Sequence, residues 1–379
     1  MPKTPGSELG DYGDVENSSE VGRARRRSRG SLLIAAAACA LLLAAVIPSP
    51  YTIERPGPVV NTLGDVQIEG ETKPVISIPD AETFPTDGAL NLLTVSLVGS
   101  PERPASWLSL VPALFDPSQR IAPRTDFYPE GSSLKDREAQ GTVQMQSSQA
   151  QAAAAAFRQL GEPVTAELAI AAVTADGPAD GVLREGDVLQ RVNGEPIADF
   201  AELRAAIVES GAEHELRITV LRDDAEVNLT LRPAVPEGGK DPLIGAIITT
   251  YYELPAEVDI SLSEIGGPSA GMMFALGIID QLTPGAMLDG KAVSGTGTVS
   301  DTGAIGAIGG LEQKIWAAKR AESDLFLMPL DNCGDLPARL PGGLTVAPVA
   351  TLSEAVAAIE DTVAGKEVAG VERCSVADQ

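Results

Sequence analysis

Histidine is the scarcest side chain in this sequence, with one residue, His214, among 379. It lies in the polar stretch Gly211-Ala-Glu-His-Glu215, which reads as surface. One imidazole and scattered thiols do not make a zinc centre, which needs several converging His or Cys ligands. A Ser-His-Asp triad would have to use this single residue. Cysteine is nearly as scarce, at three residues. Cys39 lies inside an apolar run, whereas Cys333 and Cys374 lie beyond it and could pair if that part is exported. Positive charge is also short, with 28 Lys and Arg against 53 Asp and Glu, for a net charge of −25. The first thirty residues hold six basic and five acidic side chains, a net of +1, so −25 less +1 leaves −26 on the rest. Nucleic acid is excluded as a partner, because phosphate contacts need clustered Lys and Arg. Aromatic residues are only 4% of the chain, from which no function follows.

What is present is enough to fold. Apolar residues make up 44%, and the length allows two domains with extensions. Ser31 to Pro48 reads SLLIAAAACALLLAAVIP without a charge, near the lower length limit for a spanning helix. The cluster Arg23-Ala-Arg-Arg-Arg-Ser-Arg29 precedes it, and basic flanks stay cytoplasmic. The expectation is a single-pass anchor over 31–50 in the cell membrane. Residues 1–30 are then a cytoplasmic tail, and the rest of the chain is extracytoplasmic. A cleaved signal peptide is the rival, but its small-x-small site, Ala38-Cys39-Ala40, is buried mid-run.

Residues 51–83 read as a Pro- and Gly-rich linking region with short strands such as Val75-Ile-Ser-Ile78. Leu90 to Val98 reads as a buried strand, Ser100 to Arg137 as a Pro-rich insertion, and Gln144 to Leu160 as an Ala-rich helix. Residues 161–236 form a separate unit. Its core is Gly177-Pro-Ala-Asp-Gly-Val-Leu-Arg-Glu-Gly-Asp-Val-Leu-Gln-Arg-Val-Asn-Gly194. The pattern implies a turn, Leu183 on a short helix, a Gly-Asp turn, a strand and an Asn-Gly hairpin. Phe200 to Ile207 follows as an amphipathic helix, then two alternating strands over Glu215 to Leu231. This run resembles a PDZ domain. The resemblance implies capture of extended peptides by strand addition. The glycine-containing loop expected to hold a peptide carboxylate is not evident near Val164-Thr-Ala-Glu-Leu-Ala-Ile-Ala171.

Two further segments carry chemistry. Gly266-Gly-Pro-Ser-Ala-Gly271 leads into an apolar helix-prone run, with Pro268 suited to the first helical turn. That places Ser269 at a helix N-terminus, where backbone N–H groups can hold an oxyanion. Farther on, Gly309-Gly-Leu-Glu-Gln-Lys314 opens a second helix, with Leu311, Ile315 and Ala318 on one face. Lys314 adjoins that face. A desolvated lysine has a lowered pKa and can take the proton of a serine hydroxyl. Together, in this order, the two segments closely resemble the proteolytic domain of Lon-type endopeptidases. That family works with a Ser-Lys dyad, so the resemblance implies Ser269 as nucleophile and Lys314 as base. Thr296, in Ser294-Gly-Thr-Gly297, falls where the family has a threonine near the lysine. Leu90 to Val98 and the helix bearing Met145 and Ser148 look like the first half of such a domain.

The expected fold class is therefore α+β: an N-terminal transmembrane helix and a Lon-type proteolytic domain with an inserted PDZ domain. The Lon-type halves would be 84–160 and 237–362, with a tail over 363–379. The resemblance to bacterial membrane-anchored PDZ–Lon proteins implies an ATP-independent serine endopeptidase. Its substrates would be proteins or peptides outside the cytoplasm, and it needs no cofactor or metal. Lon domains tend to assemble as rings, so a homo-oligomer is a further expectation. Gly285-Ala-Met-Leu-Asp-Gly-Lys-Ala292 mimics a phosphate loop, yet Ala292 replaces the magnesium-binding hydroxyl. Ser132-Ser-Leu-Lys135 mimics penicillin-binding enzymes but lacks their other elements. The alternative function is a non-catalytic PDZ scaffold or adaptor that binds exported proteins.

Overall fold

A computed structural model describes residues 42–377 except 69, 130, 198, 237, 263 and 264, together with residues 32, 35, 36, 38 and 39. The expected tail over 1–30 and much of the expected anchor over 31–50 lie outside these. Among the described residues no helix is long and apolar enough to cross a membrane. The described chain divides into two compact units.

One unit takes the chain up to Arg55 and adds Leu97–Leu134. The Pro-rich insertion expected here is ordered. Helix α1 (Trp107–Ala113) is capped by the Ser106 side chain, which accepts from Ser109 N–H, and Pro112 sits in its last turn. Arg120–Pro123 pairs antiparallel with Tyr51–Glu54. Ile53, Ala105, Leu110 and Ala113 form a small core between them.

The other unit holds Pro56–Ser96 and everything from Lys135 onward. The region expected as a linker is built into it. Val75, Ile76 and Ile78 are buried in the main core, and Asp65–Ile68 and Glu71–Pro74 form a hairpin. Helix α2 (Leu134–Gln159) starts well before the expected Gln144. Its Ala152 to Ala156 run packs without bulk against that core, apart from Ala154.

A five-stranded antiparallel path runs Ala225–Leu231, Leu216–Arg222, Val188–Val192, Thr165–Val173, Ala246–Glu253. Helix α3 (Phe200–Ser210) buries Leu203 and Ile207 in a core with this sheet. Asn193 and Gly194 both take positive φ, as the expected hairpin turn requires. Leu183 lies in consecutive turns rather than on the expected short helix. Asp187, from the Gly-Asp turn, is buried and receives two hydrogen bonds from Arg222, at 2.6 and 2.7 Å. Burial pushes its carboxyl up, but the bonds from Arg222 and Arg184 outweigh this and hold it below its ordinary pKa.

The second sheet runs parallel from Ala89–Val98 through Ala292–Gly295 and Leu325–Pro329 to Thr345–Val349. Leu325–Pro329 is buried at every residue, as expected of a parallel strand covered on both faces. Leu325 and Leu327 join the core with helices α4 (Gly271–Leu282) and α6 (Leu352–Val363). Phe326 and Met328 face α5 (Leu311–Arg320) on the other side. The segment expected as a tail continues into Val371–Arg373 and Cys374–Ala377, and Cys374 forms a disulfide with Cys333.

Candidate active site

Ser269 lies in the turn just before α4, which begins at Gly271. Pro268 precedes the helix rather than forming its first turn, and its carbonyl accepts from Ser148 Oγ on α2 at 2.9 Å. Gly267, at φ +93, donates its N–H to Gly141 O of α2 at 2.9 Å. Gly141 and Gly266 stand back to back. A Cβ at 266 would lie 3.2 Å from the Gly141 backbone. The tighter constraint is on Gly266, since a Cβ at 141 would meet its nearest atom at 3.4 Å. Gly271 is equally constrained, since a Cβ there would reach Ser148 Oγ at 2.7 Å.

The carbonyl of Ser269 is held twice. Gly297 N–H donates to it at 2.9 Å and Thr296 Oγ1 at 3.0 Å. Thr296 is wholly buried at the end of the sheet strand Ala292–Gly295. Lys314 projects from the first turn of α5, which starts after the left-handed Gly310. A Cβ at 310 would meet Val95 at 2.6 Å, so the helix enters there only on glycine.

These elements bring the three expected residues together. Lys314 Nζ lies 3.0 Å from Ser269 Oγ and 2.9 Å from Thr296 Oγ1. Lys314 is 3% exposed, while Ser269 is only half-buried. Burial alone pushes the Lys314 pKa down to about 7. Near neutral pH much of the amine is uncharged, with a lone pair available to a hydroxyl proton.

The decoys lie apart from this chemistry. The 285–292 loop is followed by a strand, Ala292–Gly295, where a phosphate loop would open a helix. Ser132 and Ser133 precede α2. His214 is exposed, with Nδ1 3.1 Å from Ser210 O. Among the described residues no cluster of His, Cys, Asp or Glu could hold a metal.

Sequence reasoning placed Ser148 on a first-half helix without a local signal for its bond to the serine turn, and it missed one strand. Ala246–Glu253 lies past the expected PDZ boundary at residue 236, yet it pairs along its length with Thr165–Val173. The β-branched and aromatic run Ile247-Ile-Thr-Thr-Tyr251 was the available signal.

Residues 263–360 match the family model of the Lon protease (S16) C-terminal proteolytic domain, and residues 142–232 that of the PDZ domain. The chain carries a Lon-type proteolytic domain and a PDZ domain. The former is of the serine-type endopeptidase class. The Lon protease of Buchnera aphidicola is 33% identical over 100 residues, 25% of this chain and 13% of that protein. That of Azospirillum brasilense is 37% identical over 91 residues, 23% and 11%. The magnetosome formation protease MamE of Paramagnetospirillum magneticum is 37% identical over 121 residues, 31% and 15%. The chain thus spans at most 15% of the length of these three relatives. The solved PDZ domain of an SdrC-like protein from Listeria monocytogenes is 22% identical, with TM-score 0.20, over 21% of this chain and 85% of that one.

Proposed function

We propose that this protein is a membrane-anchored serine endopeptidase that hydrolyses peptide bonds of exported proteins without ATP. The observation that carries the reading is a buried lysine amine, without a charged partner among the described residues, 3.0 Å from a half-buried serine hydroxyl inside a Lon-type domain. Neutral Lys314 accepts the Ser269 proton as Oγ attacks the substrate carbonyl carbon. Thr296 Oγ1 takes one N–H of the amine and gives its own proton to Ser269 O, which turns the lone pair toward Ser269 Oγ. The N–H groups of Gly271, Met272 and Met273 are bonded to the carbonyls of Pro268, Gly297 and Ala270, so α4 favours the oxygen that becomes negative through the positive end of its dipole. The resulting ammonium passes its proton to the leaving amine, and the bond to that amine breaks. Water, deprotonated by the same amine, then releases the acyl group and restores Ser269.

Independence from ATP is supported by the strand that follows the 285–292 loop. The uncharged run after Arg23–Arg29 supports an anchor with the catalytic part outside. The Cys333–Cys374 disulfide suits an oxidising compartment. Ala246–Glu253 is the last strand on its side of the sheet, with Ile247 and Tyr251 exposed. An edge of this kind can accept an extended chain, which supports recruitment or gating by the PDZ domain. The same edge would serve a scaffold or adaptor without catalysis.

The test is cleavage of an unfolded protein by the full chain in detergent, without nucleotide. Ser269→Ala and Lys314→Ala should each lose at least about 10³-fold in rate, while Ser132→Ala keeps it. Retained cleavage by Ser269→Ala would remove the nucleophile assignment. Binding without cleavage by the wild type would favour the adaptor.

A further inference from the structure

After the run over 31–48, the smaller unit carries a second apolar stretch, and most of its large side chains are exposed. From Ser106 to Phe115 the chain reads SWLSLVPALF, ten residues without a charge in a chain that is 21% charged. Leu110 and Ala113 turn inward onto Ile53 and Ala105. Trp107, Leu108, Val111, Leu114 and Phe115 turn outward, and Leu114 and Phe115 are 70% and 83% exposed. Large apolar side chains gathered on the exposed side of one short helix are surface that something else must cover.

Its position says what covers it. The chain leaves the apolar run at Ile47 and Pro48, and this exit is stitched to the start of α1. Trp107 N–H donates to Ile47 O, Ser49 N–H to Ala105 O at 2.7 Å, and Pro48 bridges Ser106. Residues 42–46 are helical, with Leu42, Leu43 and Val46 exposed, so bare apolar surface continues from the run onto α1. At the junction Trp107 and Tyr51 meet edge to face, with ring centres 5.9 Å apart. Trp and Tyr gather where hydrocarbon gives way to headgroups, because each has an apolar body and a polar tip.

We infer that residues 106–115 are a second membrane contact, lying in the outer surface of the bilayer beside the anchor. This rests on the anchor reading in Proposed function. The partner is a lipid surface, engaged through apolar area rather than charge. A single spanning helix leaves a domain free to swing about its exit. A second contact fixes the smaller unit against the membrane plane.

The experiment uses the full chain in phosphatidylcholine–phosphatidylglycerol vesicles. Trp316→Phe leaves Trp107 as sole reporter, since the chain has two tryptophans. Lipids brominated near the headgroup should quench most of its emission. Leu114→Asp with Phe115→Asp should abolish that quenching while the chain still resists carbonate extraction and still cleaves a soluble unfolded substrate. Unquenched Trp107 in a carbonate-resistant chain overturns the proposal and leaves the anchor standing. Emission that ignores bromine but changes on diluting the protein in the vesicles overturns it in favour of a second copy. If carbonate extracts the chain, the anchor fails. Quenching that persists then leaves the patch standing as a peripheral lipid contact, and its absence removes both.

Discussion

Lys314 sets the chemistry through what surrounds it rather than through any charged partner. Since only the neutral amine is a base, cleavage should fall about tenfold per pH unit below an acid limb centred at about 7. An ordinary lysine would place that limb beyond pH 10, so the pH profile of kcat/KM separates the two. Stability carries the same signature with a definite sign. Between about 7 and the unfolded value of 10.5 the unfolded chain binds more protons, so this residue makes stability rise with pH. Below that window the folded protein holds a buried charge at full cost. Lys314→Met should therefore abolish cleavage yet raise the melting temperature most below pH 7, with the gain fading toward pH 10.5. A fall in melting temperature at pH 6 would show that the amine is compensated in the fold. Thr296→Val removes one partner from both Lys314 and the Ser269 carbonyl. At about 1–2 kcal/mol for a buried hydrogen bond, the rate should drop about 5- to 30-fold with the fold retained, read from kcat beside the circular dichroism spectrum.

At the scale of elements, the site is a set of close backbone approaches that glycine permits. Gly266, Gly271 and Gly310 are the tight ones, whereas Gly141, which looks like a helix breaker, proves to be the seat of the serine turn. A Cβ there would sit 3.4 Å from Gly266, an ordinary contact. Gly141→Ala should therefore keep activity and gain up to about 1 kcal/mol of helix propensity. Gly141→Val has no such room and must lift the turn carrying Ser269. A displacement near 1 Å costs about 10²-fold, so kcat should fall while the melting temperature changes little. Gly141 also explains what was legible beforehand. Gly266–Gly271 and Gly309–Lys314 were readable because each couples a turn to a periodic apolar helix. The start of α2 was not, since Gly141 and the Pro129 to Gly131 stretch imitate a stop. Helix α1 was hidden by Pro112, which its last turn tolerates. Ala246–Glu253 was hidden differently. Pro233, Pro236, Gly238, Gly239 and Pro242 read as a departure from the domain, and the strand-prone run that follows does not say which sheet it joins.

For the whole molecule, the cysteine pair ties compartment to stability. Cys333 lies in the turn after Leu325–Pro329, next to the buried Asn332. Asn332 accepts from Ile308 N–H and donates to Ile308 O, both at 2.9 Å, which clamps the loop leading into the Lys314 helix. Closing a loop of 41 residues restricts the unfolded chain by about 2–4 kcal/mol. Two measurements on the same full-length sample then bear on location and energetics together. Thiol trapping of protein taken from cells under acid quench should label one cysteine per chain, Cys39, before reduction and three after. The urea midpoint of the proteolytic domain should fall on reduction, and Cys333→Ser with Cys374→Ser should reproduce the fall without reductant. Three reactive thiols in freshly trapped protein would place the domain in a reducing compartment and remove one support for its export. A single reactive thiol with an unchanged midpoint would mean that the pair forms but the fold does not depend on it, so that the Asn332–Ile308 bonds hold the loop before Lys314 without its help.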